Sequence, residues 1–470
     1  MSMEKTERPV MTENKMGVMP VGRLLAGMAI PMMISMLAQA FYNIVDSIFV
    51  ARISENALTA VSLAFPLQNL MIAVGVGTSV GMNTFVSRSL GAKKYNECNQ
   101  GANTGIFLAL CNFIVFALIG IFLSGPFYAA QTDVAEIIKY GTDYSSICLG
   151  LSIGIFCQFC FERLLQATGR TSITMCTQIL GAIINIVLDP IFIFEKGEIV
   201  FGNFAMPFGF NMDVAGAAVA TVIGQVVAAC VALIANLKFN PEIKIRLKAI
   251  RWNTAIAKEI YRVGLPSIVM QSISSIMTFC MNLILISFST TATAVLGSYF
   301  KLQSFVFMPI FGLNNGMVPI VSYNFGAKKA DRVKRVVKLT IVIAVCIMTF
   351  GLIIFELFPS TLLSFFSPSQ TMLDIGIPAL RIIGSHFMLA GFCIIAGSVC
   401  QAIGNPLYSL IVSVSRQLLV LIPVAWLLAQ TGVLKLVWLS FPIAEVVSLI
   451  LSSIFLAKTM RSANRIMAEK

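Results

Sequence analysis

The chain has 470 residues, 57% of them hydrophobic and 11% charged, with a formal net charge of +12 and a mean hydropathy of +0.88. A soluble domain carries about 25% charged residues. This composition therefore leaves too little polar surface for a water-soluble fold, and it excludes a soluble enzyme, a nucleic-acid-binding domain and a disordered scaffold. The basic residues lie between long apolar runs, where the positive-inside rule places them, so the charge reports topology rather than nucleic-acid binding.

Residues 1–23 mix Glu4, Glu7 and Glu13 with Lys5, Arg8 and Lys15 and read as a cytoplasmic tail, with no cleavage site ahead of the first apolar run. About 20 apolar residues cross a bilayer core. Periodicity and breakers then predict helices 1 to 6 at 24–50, 57–87, 101–123, 134–160, 172–194 and 214–237, forming an N-lobe over 24–237. The basic segment 238–258 is a predicted cytoplasmic connector. Helices 7 to 12 follow at 259–287, 292–321, 334–357, 371–400, 407–429 and 434–458, forming a C-lobe over 259–458, with a tail at 459–470. Barrel strands would alternate apolar and polar over roughly ten residues, and these runs are continuously apolar. The predicted fold is an all-α polytopic membrane protein of twelve transmembrane helices in two pseudo-symmetric six-helix lobes. Most Lys and Arg fall in the tail, the connector, the even-to-odd loops and the C-terminus, which predicts that both termini are cytoplasmic.

The two lobes repeat. Leu90-Gly91-Ala92-Lys93-Lys94 recurs 235 residues on as Phe325-Gly326-Ala327-Lys328-Lys329. At the same offset Pro31 meets Pro266, Gly81 meets Gly316, and Gln166-Ala167-Thr168-Gly169 meets Gln401-Ala402-Ile403-Gly404. Six helices per copy means that both copies enter from the same side, so the repeat is parallel, about an axis along the membrane normal. Such a pair of bundles is a transporter architecture with the path between them.

Few acidic residues lie deep in the apolar runs: Asp46, Asp189 and Glu445. A charge at bilayer depth is costly, so each is a functional candidate. Gln39, Tyr42 and Asp46 share one face of helix 1, and Asn185 shares a face of helix 5 with Asp189. Pro190 frees the carbonyl of Ile186, and Thr221 offers a hydroxyl from a run of small residues in helix 6. Two carboxylates, an amide and free carbonyls are the oxygen ligands that a proton or Na⁺ site needs. Glu445 reads either as such a site or as one half of an ion pair with Arg381 or Arg416; those arginines could instead bind an anionic group. His386 is the only histidine, and a lone histidine cannot make a metal site. The 11 cysteines follow no metal or disulfide spacing. No Walker A motif is present, so ATP does not drive the protein directly, and no Ser/His/Asp, HExxH or CxxC constellation suggests an enzyme.

The segments Val45-Asp46-Ser47-Ile48-Phe49-Val50-Ala51-Arg52, Ala57 to Leu67 and Val86-Ser87-Arg88-Ser89-Leu90-Gly91-Ala92 resemble the first lobe of the MATE (multidrug and toxic compound extrusion) transporters. Gln166-Ala167-Thr168-Gly169 and Asn185-Ile186-Val187-Leu188-Asp189-Pro190 match as well, and with the repeat the resemblance covers essentially the whole chain, in both halves. It implies a central cleft between the lobes and export of organic, often cationic, compounds in exchange for H⁺ or Na⁺. Carried onto this sequence, it makes Pro31 the kink proline of helix 1, with Pro266 at the matching place in helix 7. It places Gln39 and Tyr42 on the substrate cleft and Asp46, Asn185, Asp189 and Thr221 at a cation site. One branch of the family uses acidic residues of helices 7 and 8 instead. Here helix 7 has only Glu259 at its edge and helix 8 has none, which favours the N-lobe site.

The expected protein is thus a multi-pass secondary antiporter of the cytoplasmic membrane. Its partners are small drug molecules and the lipid bilayer but no nucleic acid, it is monomeric, and it holds no cofactor beyond the coupling ion. Glu445, Arg381 and His386 are secondary candidates. A lipid-linked oligosaccharide flippase of the same superfamily and a membrane-embedded enzyme are the alternatives.

Overall fold

A computed structural model describes residues 13–197, 199–201, 204–205, 208–366 and 368–469. Among them, ten helices are long and apolar enough to cross a bilayer, and two further spans are helix pairs with a bend. The N-lobe holds helix 1 (Val21–Ile53), helix 2 (Glu55–Gly91), helix 3 (Tyr95–Ala129), helix 4 (Ala135–Gly150 and Ile153–Ala167), helix 5 (Thr171–Ile193) and helix 6 (Asp213–Phe239). The C-lobe holds helix 7 (Thr254–Ile286), helix 8 (Thr290–Gly326), helix 9 (Ala330–Leu357), helix 10 (Gln370–Gly384 and Phe387–Ile403), helix 11 (Pro406–Ala429) and helix 12 (Leu434–Ala468).

Three features depart from the expected spans. Helices 4 and 10 are broken, by 42° and 48°, at positions that match the repeat offset to within one residue, so the break belongs to the repeat. Helix 12 continues to Ala468 because Lys458, Arg461 and Arg465 carry it past the apolar stretch into water. A two-stranded hairpin, Ile199–Phe201 with Phe204–Ala205, lies between helices 5 and 6 where only a loop was expected. Helices 1 and 7 run unbroken through Pro31 and Pro266, each losing one backbone hydrogen bond there.

The lobes meet through helix 1 against helix 8 and helix 2 against helix 7. The closest approaches lie at the end that carries the connector, and they obey the repeat. A Cβ on Gly91 would stand 1.9 Å from the carbonyl oxygen of Tyr323, and one on Gly326 would stand 2.1 Å from that of Arg88. Arg88 and Tyr323 are themselves repeat partners. About three helical turns further along, Gly81 abuts Ile260 while Gly316 abuts Ala29.

The segment before helix 1 straps this end. Asn14 Nδ2 donates to the carbonyl of Thr168 at 3.0 Å and to Glu242 Oε1 in the connector at 2.9 Å. From the C-lobe, Asn324 Nδ2 donates to Met16 O at 2.9 Å, and Arg332 Nη2 donates to Met16 O at 3.0 Å and Met19 O at 2.7 Å. Lys329 Nζ donates to Gly17 O at 2.9 Å and pairs with Glu13. One short segment is therefore hydrogen-bonded to both lobes. Arg332→Ala removes the donor to Met19 O and one of the two donors to Met16 O, at a cost of about 1–3 kcal/mol. It should lower Tm by a few degrees (~2–4 °C) and expose the segment to protease at its Lys15 peptide bond; a variant as stable and as resistant as the parent would show that the strap contributes nothing. The Lys329 ammonium, hydrogen-bonded to Glu13, holds that carboxyl below its ordinary range. A lowered carboxylate pKa stabilises above the unfolded value and is lost as pH falls through the folded one, so the strap holds at neutral pH and this contact loosens only in acid.

Candidate functional site

Asp46 and Asp189 come together inside the N-lobe. Asp189 is fully buried and Asp46 half-buried, and the two carboxyls lie within hydrogen-bonding reach of each other. Asn185, one turn before Asp189, bridges helix 5 to helix 6. Oriented to satisfy both sides, its Nδ2 donates to Asp189 Oδ2 at 3.1 Å while its Oδ1 accepts from Thr221 Oγ1 at 3.0 Å and Thr221 N at 3.1 Å. Helices 5 and 6 can approach this closely because Gly224 faces Gly181, where a Cβ would stand 2.8 Å from the Gly181 carbonyl. Asp46 Oδ1 is buried without a hydrogen-bond partner among the described residues. Tyr42, Tyr144 and Cys148 face Asp46. A site with two carboxylates, an amide and a hydroxyl, one carboxylate oxygen still free, can take a proton or a small monovalent cation.

A cavity of about 80 Å³ adjoins the pair, lined by Gln39, Tyr42, Asn185 and Thr221 and, further along, by Ser35, Gln158, Gln178 and Gln225. Close to its wall is a carboxylate that sequence reasoning missed. Glu162 is buried in helix 4 and accepts from Gln158 Nε2 at 3.0 Å, Thr177 Oγ1 at 3.1 Å and Gln178 Nε2 at 2.6 Å, while Ser35 Oγ donates to Gln178 Oε1. The predicted helix 4 stopped at 160, which put Glu162 in a loop. The signal that could have found it is Gln158 at i−4, with Thr174, Thr177 and Gln178 on the neighbouring helix. Arg163 was likewise expected in a cytoplasmic loop. It lies inside helix 4, donating to Gln166 Oε1 at 2.9 Å and, across the lobes, to Asn315 Oδ1 at 3.0 Å.

The secondary candidates separate. Glu445 is paired with Arg416 at 3.1 Å, not with Arg381. Arg381 is exposed and pairs with Glu356 at 3.6 Å, because the short stretch between helices 9 and 10 folds their ends together. His386 is buried at the break in helix 10, in the C-lobe, whereas the Asp46 pair lies in the N-lobe. Among the described residues, no group of three or more His, Cys, Asp or Glu side chains could hold a metal ion.

Two parallel six-helix bundles, pressed together at one end and carrying a polar site toward the opposite end of one bundle, define a membrane transporter architecture. The MatE family model matches residues 31–191 and again residues 266–427, an offset of the same size as the internal repeat, and the chain belongs to the MatE family. It is 27% identical over 444 residues to the multidrug export protein MepA of Staphylococcus haemolyticus (strain JCSC1435), covering 94% of each chain. It is 26% identical over 428 residues to MepA of Staphylococcus aureus (strain bovine RF122 / ET3-1), covering 91% of each. A solved structure of the outward-facing conformation of a multidrug resistance MATE family transporter of the MOP superfamily superposes with a TM-score of 0.87 at 25% identity, over 98% of this chain and 100% of that one.

Proposed function

We propose that the chain is a secondary antiporter of the cytoplasmic membrane that exports lipophilic, mostly cationic drugs in exchange for H⁺ or Na⁺ by alternating access of its two lobes. The observation that carries this reading is the meeting of Asp46, Asp189, Asn185 and Thr221 beside a polar cavity. The site is anionic and set in apolar walls, which suits a lipophilic cation and the ion that replaces it. Drug export by the MepA relatives supports the substrate class. The basic connector supports a cytoplasmic position for the end where the lobes meet and for both termini, and the arrangement would then correspond to the outward-facing relative. The reading takes the chain as a monomer in the bilayer, with no cofactor but the coupling ion, and as a transporter rather than an enzyme. Because Arg381 and Arg416 are both committed to carboxylates, neither offers the free cation that a pyrophosphate-carrying flippase would want.

The test is efflux from proteoliposomes under separately imposed pH and Na⁺ gradients. An ethidium-like dye should leave under at least one of the two gradients, while an anionic detergent should not be moved by either. Movement of anions alone, or dye movement indifferent to both gradients, would overturn antiport of cations.

A further inference from the structure

The C-lobe contains a second cluster of buried polar side chains, which the N-lobe site does not use. Helix 10 is broken at Ser385–His386, and helix 11 passes through a π-helical turn at Ser415–Leu421. Such turns re-aim a side chain at the expense of regular hydrogen bonding and concentrate at functional sites. This one carries Arg416, whose Nη1 lies 3.1 Å from Glu445 Oε2 on helix 12. Glu445, His386 and Tyr299 are 2%, 5% and 0% exposed. Each keeps an atom with no hydrogen-bond partner among the described residues: Glu445 Oε1, His386 Nδ1 and Tyr299 Oη. Ser448 and Ser452, one and two turns along helix 12, add two buried hydroxyls in the same condition. The titratable and charged groups facing Glu445 and His386 are Tyr299 from helix 8, Cys393 from helix 10 and Arg416 from helix 11.

A salt bridge kept only to tie helix 11 to helix 12 needs none of these free atoms. Each buried donor or acceptor left unmade is costly, and apolar neighbours would serve a tie better. What the free atoms do suit is water and a proton. A metal cation is disfavoured, because Arg416 already occupies one carboxylate oxygen and sets a positive charge beside the other. We propose that this cluster is a proton-binding site of the C-lobe, in which Glu445 and His386 share one exchangeable proton through ordered water and Arg416 is the counter-charge. The proton arrives from water along the hydroxyls of helix 12 and of Tyr299, forms an N–H or O–H bond at the pair, and returns to water by the same groups. Nothing is oxidised; the bond broken as the proton arrives is an O–H of hydronium, and it re-forms when the proton leaves.

The chain has a single histidine, so selective ¹³C,¹⁵N-histidine labelling of the full chain, purified on a histidine-free tag into lipid nanodiscs, gives one imidazole signal. That signal should titrate in one step between about pH 5 and 9. Glu445→Gln should displace the midpoint by about one pH unit or more, since the two groups titrate together. Because Glu445→Gln strands the Arg416 charge, the double variant Glu445→Gln/Arg416→Gln removes both charges and should displace the midpoint as well. Asp189→Asn, in the other lobe, should leave the titration as it is in the parent, so the result is independent of the antiport reading. An imidazole signal that stays fixed across the whole range, or that titrates identically in the parent and both Glu445 variants, overturns the proposal.

Discussion

Asp46→Asn and Asp189→Asn should each abolish gradient-driven efflux while leaving expression, folding and Tm nearly unchanged. The asymmetry follows from what the substitution removes. Asparagine has the shape of aspartate and can still donate to or accept from Asn185 and its own partner carboxyl, so packing between helices 1, 5 and 6 is preserved. What goes is one of the two acidic groups that, on the proposed antiport reading, hold either a proton or a cation between them. A ligand shifts a two-state equilibrium only by its difference in affinity for the two states, and moving it from 1:99 to 99:1 takes roughly 5.5 kcal/mol. With one carboxylate gone, the ion no longer supplies that difference. The dye still binds but is not driven out. Reconstituted protein should therefore still bind dye, more weakly for the carboxylate lost, while its efflux falls to the level of empty liposomes. Parental efflux in both variants would remove the coupling site from this pair and leave Glu162, the other buried carboxylate at the same cavity, as the place to look.

That pair was legible in the sequence because an aspartate in an uninterrupted apolar run has no cheap explanation, and because Gln39, Tyr42 and Asn185 fall at helical spacing from it. The helix count and the parallel repeat were legible for a similar reason: 20-residue apolar runs and an ungapped offset are one-dimensional signals. Glu162 was hidden because it sits near the connector-side end of helix 4, where hydropathy has already fallen and a polar residue looks like a loop. Its burial is decided by Thr177 and Gln178 of another helix. The same holds for Arg381 and Arg416, which are equivalent as letters; only the π turn in helix 11 and the short connection between helices 9 and 10 settle which one meets Glu445. The repeated glycines were visible as landmarks, but their cause was not. It is a contact between the lobes, and sequence reports only neighbours along the chain.

Gly91→Ala and Gly326→Ala should each prevent the lobes from closing at the connector end and should be equally damaging. In the closed arrangement the new methyl carbon would lie 1.9 Å from Tyr323 O in the first case and 2.1 Å from Arg88 O in the second. Both obstacles are backbone, so no side-chain rotation relieves them, and the helices must separate. Overpacking of this kind costs about 1–3 kcal/mol or more, enough to invert a balance between two states that differ by only a few kcal/mol. Gly297→Ala and Gly27→Ala provide the contrast, because nothing lies within 4 Å of a methyl group there. In a helix interior alanine is favoured over glycine by roughly 0.5–1 kcal/mol, so both should be neutral or slightly stabilising. Spin labels at Lys94 and Lys334, exposed near the starts of helices 3 and 9, would read the separation directly in a cysteine-free background. Each damaging variant should shift their distance distribution outward and lose dye efflux. The double variant should add little, since contacts in one shared interface are not additive: once the first methyl group has parted the helices, the second has no closed interface left to disrupt. An unchanged distance distribution with parental efflux in Gly91→Ala would mean that the crossing of helices 2 and 8 gives way without opening the lobes, and the close approach at Gly91 and Gly326 would then have no part in the proposed alternating access.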